Sequence, residues 1–419
     1  MEFLDSDINV DVIGFGALNV DKLHTVENIA CKDEESFIKS QKDTPGGSAA
    51  NTVIGLARLG CPTSIIGKIA EDDDGDLIEL NLAMNEVYTN NLIYADKGNT
   101  GKVLGFVDEK GERCLYVDPG VNDEIVLDEI NLLNLSKCKI MHYTSFVGDS
   151  FKTQIELLDK LNDNTLLSFD PGMLYVQKGL KELKPILDKT DILLINENEL
   201  RLLYEDYYKA IDCADELSVK EIAVHILDEC IQTVVVKKGS EGVFAITDSE
   251  ECDVGTYECS VVDTTGAGDS FNSGFLYGKL NGYSLEESCK IGNWVASKAI
   301  EGFGMEKFPN LKDLKELHDK LLENGEFVKC EDLETIIFRK METIVKILNL
   351  AEINDEENIS IANQIYENTS SIELEKYPIA EILICRDINI DLNNVKETIE
   401  DLREEVNEIK DTVLKNCMF

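Results

Sequence analysis

The chain has 419 residues, a formal net charge of −42 and 43% hydrophobic residues. This length accommodates one large domain plus an appendage, and the hydrophobic fraction is sufficient for a sizeable core. The charge argues against nucleic acids and anionic membrane surfaces as partners, because no cluster of basic residues offsets it. No apolar run approaches the roughly 20 residues that a bilayer-spanning helix needs.

The cysteines and histidines also limit the classes of protein. The 12 cysteines lie singly without a CxxC pair, and residues 1–11 show no signal peptide. This usage is typical of reduced thiols and predicts a cytoplasmic protein. The 4 histidines lie far apart in the sequence and predict no zinc site.

Strand-like and helical segments alternate along the first 300 residues. Strands are predicted at 10–15, 63–66, 139–143, 165–169, 191–195, 233–237 and 242–247. Helices are predicted at 46–59, 75–85, 150–161, 179–188, 197–205, 217–229, 269–280 and 285–300. Such alternation is typical of a three-layer α/β/α fold, with a mostly parallel sheet between two layers of helices.

Two segments interrupt this alternation, residues 17–44 and 87–120. In the second, the apolar stretches 103–107 and 113–117 flank a glycine-containing turn, which is a signal for a β-hairpin. The two segments predict a small β-subdomain, although a simple surface hairpin would show the same pattern.

A first glycine-rich motif, Pro-Gly-Gly-Ser-Ala-Ala-Asn-Thr, occupies residues 45–52 at the start of a predicted helix. Gly46 and Gly47 let a ligand approach the backbone closely. Asn51 offers both a donor and an acceptor to hydroxyl groups. The motif therefore suits a polyhydroxylated ligand.

A second motif, Asp-Thr-Thr-Gly-Ala-Gly-Asp-Ser-Phe-Asn-Ser-Gly-Phe, occupies residues 263–275. Gly266, Ala267 and Gly268 leave their N–H groups accessible to an anion at the positive end of a helix. Asp269 lies in the first turn, where an ionised carboxylate can accept a proton from an attacking hydroxyl. A plain Asp-capped helix after a glycine-rich turn would explain this motif equally well on its own.

Together the two motifs resemble the signatures of the PfkB (ribokinase-like) family of carbohydrate kinases, and the resemblance runs from about Val10 to about Leu322. It implies a kinase domain over residues 1–325 with a ribokinase-like fold. The strands within about 17–44 and 87–120 would form a small β lid that excludes water from the sugar site. The family also implies Mg²⁺ and a nucleotide co-substrate, ATP with ADP not excluded.

The resemblance assigns roles around the transferred phosphoryl group. Asp269 matches the family's catalytic base, and the amides of Gly266, Ala267 and Gly268 match its anion hole. Asp263 and Thr265 resemble residues beside a monovalent-cation site, for K⁺, that some members have.

Further site residues follow from the resemblance. The sugar-binding positions are matched by Asn19, Asp21, Gly46, Gly47 and Asn51. Asn196 and Glu199 match the NxxE motif, which places magnesium and phosphate, with Glu199 acting through water; an ordinary helix cap would look the same. The nucleotide positions are matched by Asn196, Lys237, Gly239, Gly242 and Asn293. Lys237 stands where many members have threonine, which leaves the preferred donor open.

Residues 326–419 lie outside the resemblance. They are acidic, and apolar residues recur with 3-4 spacing at 392–413. This pattern predicts a mainly helical extension with a heptad-like end. The terminal helix would either pack on its own domain or, as the lid could, join two copies in a homo-oligomer.

Three functions are compatible with the sequence. The first is a carbohydrate kinase that moves the terminal phosphoryl group of a nucleotide to a sugar hydroxyl. The second is a nucleoside kinase of the same fold. The third is a catalytically silent sugar-binding regulator that acts through the extension, and the intact Asp269 with its anion hole argues against it. Since GxxxxGK[ST] is absent, a P-loop kinase is excluded.

Overall fold

A computed structural model describes residues 10–108, 113–210, 217–228, 231–315 and 317. The extension predicted at 326–419, its heptad-like end at 392–413 and the domain boundary at 325 lie outside the described residues. Within the described ranges, every helix is too short or too polar to cross a membrane.

Thirteen strands lie in the described part of the chain. They are β1 (Val12–Phe15), β2 (Asn19–Val26), β3 (Ile38–Gly46), β4 (Thr63–Ala70), β5 (Leu92–Ala95), β6 (Gly101–Val107), β7 (Arg113–Asp118), β8 (Ile140–Tyr143), β9 (Leu166–Phe169), β10 (Ile192–Asn196), β11 (Thr233–Lys237), β12 (Val243–Thr247) and β13 (Glu251–Val254).

Nine α-helices lie in the same described residues. They are α1 (Ser48–Arg58), α2 (Asp73–Met84), α3 (Ser150–Leu158), α4 (Gly172–Val176), α5 (Leu180–Leu187), α6 (Glu197–Ala210), α7 (Val219–Asp228), α8 (Ala267–Leu280) and α9 (Leu285–Ala299). The helices and strands predicted for residues 10–300 are present, with ends that differ by a few residues, whereas α4 and β13 were not predicted.

The large sheet has nine strands in the order β13-β12-β11-β10-β9-β8-β1-β4-β5. Its strands run parallel from β5 to β11, and β12 and β13 are antiparallel additions at one edge. Central strands such as β1 and β8 are buried along their whole length. Their sequences are continuous apolar runs because both faces of a parallel sheet are covered.

A second sheet, here called the small sheet, has the order β3-β2-β6-β7. β2 pairs antiparallel with β3 and parallel with β6. The expectation that residues 87–120 belong to this subdomain as a whole is wrong for their first part. β5 pairs with β4 at the edge of the large sheet, because its apolar side chains are buried there.

The topology brings together residues that are far apart in the chain. β9, β10 and β11 are neighbours in the large sheet, so their carboxyl ends lie side by side. α8 packs on α1, where Ser273 Oγ donates a hydrogen bond to the Thr52 carbonyl at 3.0 Å. The start of α8 therefore faces both the start of α1 and this edge of the sheet.

Candidate active site

The second motif forms the start of α8. Gly266 precedes the helix with φ 74°, in the left-handed region that glycine adopts without strain. The N–H groups of the first turn, which includes Gly268 and Asp269, have no partner within the helix and point out from its end. This is the geometry expected of an anion site with a carboxylate beside it.

Asp269 joins the two motifs. Asn51 Nδ2 in α1 donates a hydrogen bond to Asp269 Oδ2 at 2.9 Å. Burial and the nearby charge of Asp170 raise the pKa of Asp269 to about 7, and together they outweigh Asn51, Lys237 and Ser48, which favour the ionised form. The side chain keeps partial access to solvent. A carboxyl group with this pKa can take up and release a proton near neutrality.

Asp170, Lys237 and Asn272 form a closed cluster beside Asp269. Lys237 Nζ donates to Asp170 Oδ2 at 2.7 Å and to Asn272 Oδ1 at 3.2 Å. Asn272 Nδ2 donates to the same Asp170 oxygen at 2.6 Å. Burial alone would raise the pKa of Asp170, but the Lys237 charge and these hydrogen bonds hold it below its usual value. Asp170 is therefore ionised although it is buried.

Asn196 and Glu199 cap the start of α6 reciprocally. The Asn196 N–H donates to Glu199 Oε2 at 3.1 Å, and the Glu199 N–H donates to Asn196 Oδ1 at 2.9 Å. Burial and the charge of Asp170 raise the pKa of Glu199. The ordinary helix cap is thus present, and its carboxylate lies in the electrostatic field of the Asp170 cluster.

The sugar-binding positions named from the sequence lie together at the base of the small sheet. Asn19 pairs with Gly46 across β2 and β3. Burial raises the pKa of Asp21 to about 6, and a Cβ on Gly46 would lie 2.9 Å from Asp21 Oδ2. Gly47 connects this group to α1, since its carbonyl accepts a hydrogen bond from the Asn51 N–H at 2.9 Å.

The other nucleotide and cation positions lie in the turn after β11, in α9 and in the loop before α8. Gly239 and Gly242 both have positive φ in the turn after β11. Asn293 Nδ2 donates to the carbonyls of Val254 and Gly255, at 3.0 and 2.9 Å, and so holds the end of β13. Asp263 Oδ1 accepts a hydrogen bond from the Thr265 N–H at 2.9 Å.

Sequence reasoning missed three polar side chains of the site. Asp170 follows directly after the buried strand β9, and a carboxylate at that point was an available signal. Asn272 lies three positions after Asp269, on the adjoining turn of α8. Asn122 is buried and donates to the Leu18 carbonyl and to Asn19 Oδ1, at 2.7 and 3.1 Å. Nothing in its local sequence marked that contact.

The donor set suits a hard divalent cation. Glu199 supplies a carboxylate oxygen at the start of α6, just after β10, and such oxygens are the ligands that Mg²⁺ prefers. Within the described part of the chain, no three His, Cys, Asp or Glu side chains are grouped to hold a metal by themselves. The residues therefore fit an ion held mainly by water and by the phosphates of a bound nucleotide.

The chain is similar to known proteins in sequence and in fold. The sequence model of the pfkB family carbohydrate kinases matches residues 10–311. A sugar kinase of Archaeoglobus fulgidus is 40% identical over 256 residues, which are 60% of this chain and 96% of that protein. An ATP-dependent ribose-1-phosphate kinase of Halopiger xanaduensis is 29% identical over 68% of this chain and 90% of its own length.

The crystal structure of Methanocaldococcus jannaschii nucleoside kinase superposes with a TM-score of 0.63 at 25% identity, covering 75% of this chain and 100% of that one. The fold is thus ribokinase-like, as the sequence predicted. The chain belongs to the PfkB family of carbohydrate kinases. It is a phosphotransferase with a hydroxyl acceptor, a sugar or nucleoside kinase, and its family membership implies ATP as the co-substrate.

Proposed function

We propose that this protein transfers the terminal phosphoryl group of ATP to a hydroxyl of a sugar, with Asp269 as the general base. The observation that carries the proposal is the placement of Asp269. Its carboxyl group lies at the start of α8 with a pKa of about 7 and is oriented by Asn51.

The proton and the phosphoryl group move in opposite directions in this reaction. Asp269 takes the proton of the acceptor hydroxyl as that oxygen forms a bond to the terminal phosphorus. The bond from this phosphorus to the bridging oxygen of ATP breaks, and ADP leaves with its electron pair. The amides of Gly266, Ala267 and Gly268 stabilise the charge on the transferring group.

The remaining named residues bind and orient. Asn19, Asp21, Gly46 and Gly47 hold the acceptor hydroxyls, and burial of Asp21 strengthens its hydrogen bonds in the cleft. Asn196, Gly239, Gly242 and Asn293 shape the ATP site. Mg²⁺ neutralises phosphate charge when it is bound, and Glu199 orders its waters.

We also propose a monovalent-cation site at Asp263 and Thr265, on the basis of the family resemblance. Asp263 Oδ1 orders the backbone at Thr265 just before the anion-hole amides. A bound K⁺ there would support the loop that presents these amides.

One feature of the small sheet favours a nucleoside as a second candidate acceptor. Asp21, Val103 and Val117 are register partners and share a face. Two positions further along the strands, the same face carries Leu23, Gly105 and Leu115. A Cβ on Gly105 would contact the side chains of both leucines, so these side chains lie over the glycine. Leu23, Leu115 and Val117 are 39%, 51% and 49% exposed. An apolar surface next to Asp21 fits the flat ring of a base.

The test is a screen of sugars, sugar phosphates and nucleosides with ATP and with ADP. On the best substrate, Asp269→Asn should lower kcat by about 10²–10⁴, because the acceptor proton loses its base. Asp248→Asn, at an exposed loop position, is the matched control and should leave kcat unchanged. Retention of most of the activity in Asp269→Asn would remove the assignment, and higher kcat/KM for nucleosides than for sugars would favour the second candidate.

A further inference from the structure

The ammonium group of Lys237 is held on two sides. Asp170 and Asn272 accept its hydrogen bonds, and Asn272 also donates to Asp170, so each member of the cluster fixes the other two. The side chains of Lys237 and Asp170 are only 13% and 10% exposed. A lysine with a flexible stem is thus confined to one position.

That position is against the first turn of α8. A Cβ on Gly268 would lie 3.4 Å from Lys237 Nζ, an ordinary contact distance. A cation at the amino end of a helix opposes the helix dipole and does not stabilise the helix. The arrangement becomes favourable when an anion lies between the ammonium group and the helix amides.

The two charges of this cluster act on the pKa of Asp269 in opposite directions. The charge of Asp170, at the end of β9, favours its protonated form, and that of Lys237, at the end of β11, favours its ionised form. From α1, Asn51 and Ser48 contribute hydrogen bonds. Glu199 of α6 and His142 of β8 face the same ion pair. Burial lowers the pKa of His142 to about 4, so it adds no charge near neutrality.

We propose that Asp170 is a positioning residue for phosphoryl transfer: with Asn272 it holds Lys237 against the first turn of α8, where the ammonium group contacts the transferring phosphoryl group. The inference rests on the proposed function and deepens it. Lys237 touches the donor phosphate, whereas Asp170 acts through Lys237. The ion pair therefore combines a fixed positive charge with the anion-hole amides.

The first test is the pH profile of kcat/KM, whose acidic limb reports the base of the free enzyme. Asp170→Asn should move this limb to lower pH by about 1 unit, because a negative charge near Asp269 is lost. Lys237→Met should move it to higher pH, because a positive charge is lost. Lys237→Arg should restore the limb toward its original pH. If both variants moved the acidic limb in the same direction, or if neither moved it, the proposal would be overturned. A loss of packing would not depend on the sign of the charge that is removed.

The second test measures binding without turnover, using tripolyphosphate in the absence of magnesium and isothermal titration calorimetry. Lys237→Met should weaken binding about tenfold or more, through loss of a charge-assisted hydrogen bond. Asp170→Asn should also weaken binding, though by less, because Lys237 is then no longer held against the first turn of α8. Unchanged or stronger binding in Asp170→Asn would contradict the positioning role.

The double variant Asp170→Asn with Lys237→Met removes both charges and leaves no unpaired buried ion. It should therefore fold more readily than either single variant. It should bind tripolyphosphate as weakly as Lys237→Met, and wild-type affinity would overturn the proposal. The experiments distinguish failure of the proposed function from failure of the positioning role. A wild-type protein without kinase activity contradicts the proposed function, whereas an active enzyme that needs Asp269 but lacks these shifts contradicts only the positioning role.

Discussion

Asn51 donates a hydrogen bond to Asp269 at 2.9 Å, although 218 positions separate the two residues in the chain. This bond joins the first turns of α1 and α8, each of which follows a glycine with positive φ. The two glycine-rich motifs are thereby held together. Asn51 also favours the ionised form of Asp269, so it acts on the base as well as on the geometry.

We expect Asn51→Leu to shift the acidic limb of kcat/KM to higher pH. The substitution removes the Asn51 hydrogen bond, which favours the ionised carboxylate, so the pKa of Asp269 rises above its value of about 7. The measurement is a pH–rate profile on the best substrate. Asn164→Leu, at an exposed position, is the control and should leave the profile unchanged. An unshifted limb in Asn51→Leu would contradict the proposed link.

Removal of the base should stabilise the fold at neutral and alkaline pH. The pKa of Asp269 rises from 3.8 to about 7 on folding, so between these values the native state binds more protons than the unfolded state. The free energy of unfolding therefore falls as the pH rises through this window. We expect Asp269→Asn, which stays neutral, to be more stable than the wild type by about 1–3 kcal/mol at pH 8.

This difference should disappear near pH 4, where the wild-type carboxyl group is also protonated. Urea unfolding at pH 4, 6 and 8 measures it. A constant difference at all three values would show that packing, and not ionisation, is responsible.

Gly47 and Gly239 provide a matched pair for backbone strain. Gly47 has φ 120° and a Cβ there would lie 2.3 Å from the Ala17 carbonyl oxygen, whereas Gly239 has φ 59° and no atom within 4 Å of that point. Gly47→Ala should cost more than about 3 kcal/mol, because strain and a clash add. Gly239→Ala should cost about 1 kcal/mol, from the left-handed conformation alone. Equal losses in thermal unfolding would contradict the clash.

Asp72 links α2 to the start of the small sheet. Its carboxylate accepts hydrogen bonds from the Gly75 N–H at 2.8 Å, and from the Thr100 N–H and Oγ1 at 2.9 and 2.6 Å. Thr100 is fully buried. Asp72→Ala should therefore lower the free energy of unfolding by about 2–4 kcal/mol, through loss of a helix cap and of partners for buried donors.

The contribution of Asp72 should also depend on pH. Burial opposes its ionised form, but the Thr100 and Gly75 hydrogen bonds outweigh burial and lower its pKa below 3.8. Its stabilisation is present above pH 3.8 and is lost as the pH falls through the lowered value. The loss in Asp72→Ala should thus be largest at neutral pH and shrink below about pH 4. Comparing denaturant midpoints at pH 3 and pH 7 checks this.

Local sequence patterns were sufficient for most elements and for the type of fold. The large sheet follows from apolar strands that alternate with amphipathic helices, since each signal depends on residues close in the chain. β5 was misplaced for the same reason. A four-residue apolar strand does not specify its partner, and only burial against β4 assigned it to the large sheet.

The residues of the candidate site divide into those with a local sequence signal and those without one. The glycine motifs and Asp269 could be read from the sequence because backbone geometry and a helix start are local properties. Lys237 was predicted as a nucleotide contact, but its pairing with Asp170 and Asn272 could not be predicted. These residues belong to β11, β9 and α8, and no local pattern records which side chains meet at neighbouring strand ends.

By itself the sequence determined where the backbone can turn and where helices begin, because glycine, capping and periodicity act over a few residues. It therefore determined the family and the candidate base. Only the tertiary structure decided the charge environment of that base. The pKa of Asp269 depends on Asp170, Lys237 and Asn51, and Coulomb and hydrogen-bond energies depend on distances that the packing of β9, β11, α1 and α8 establishes.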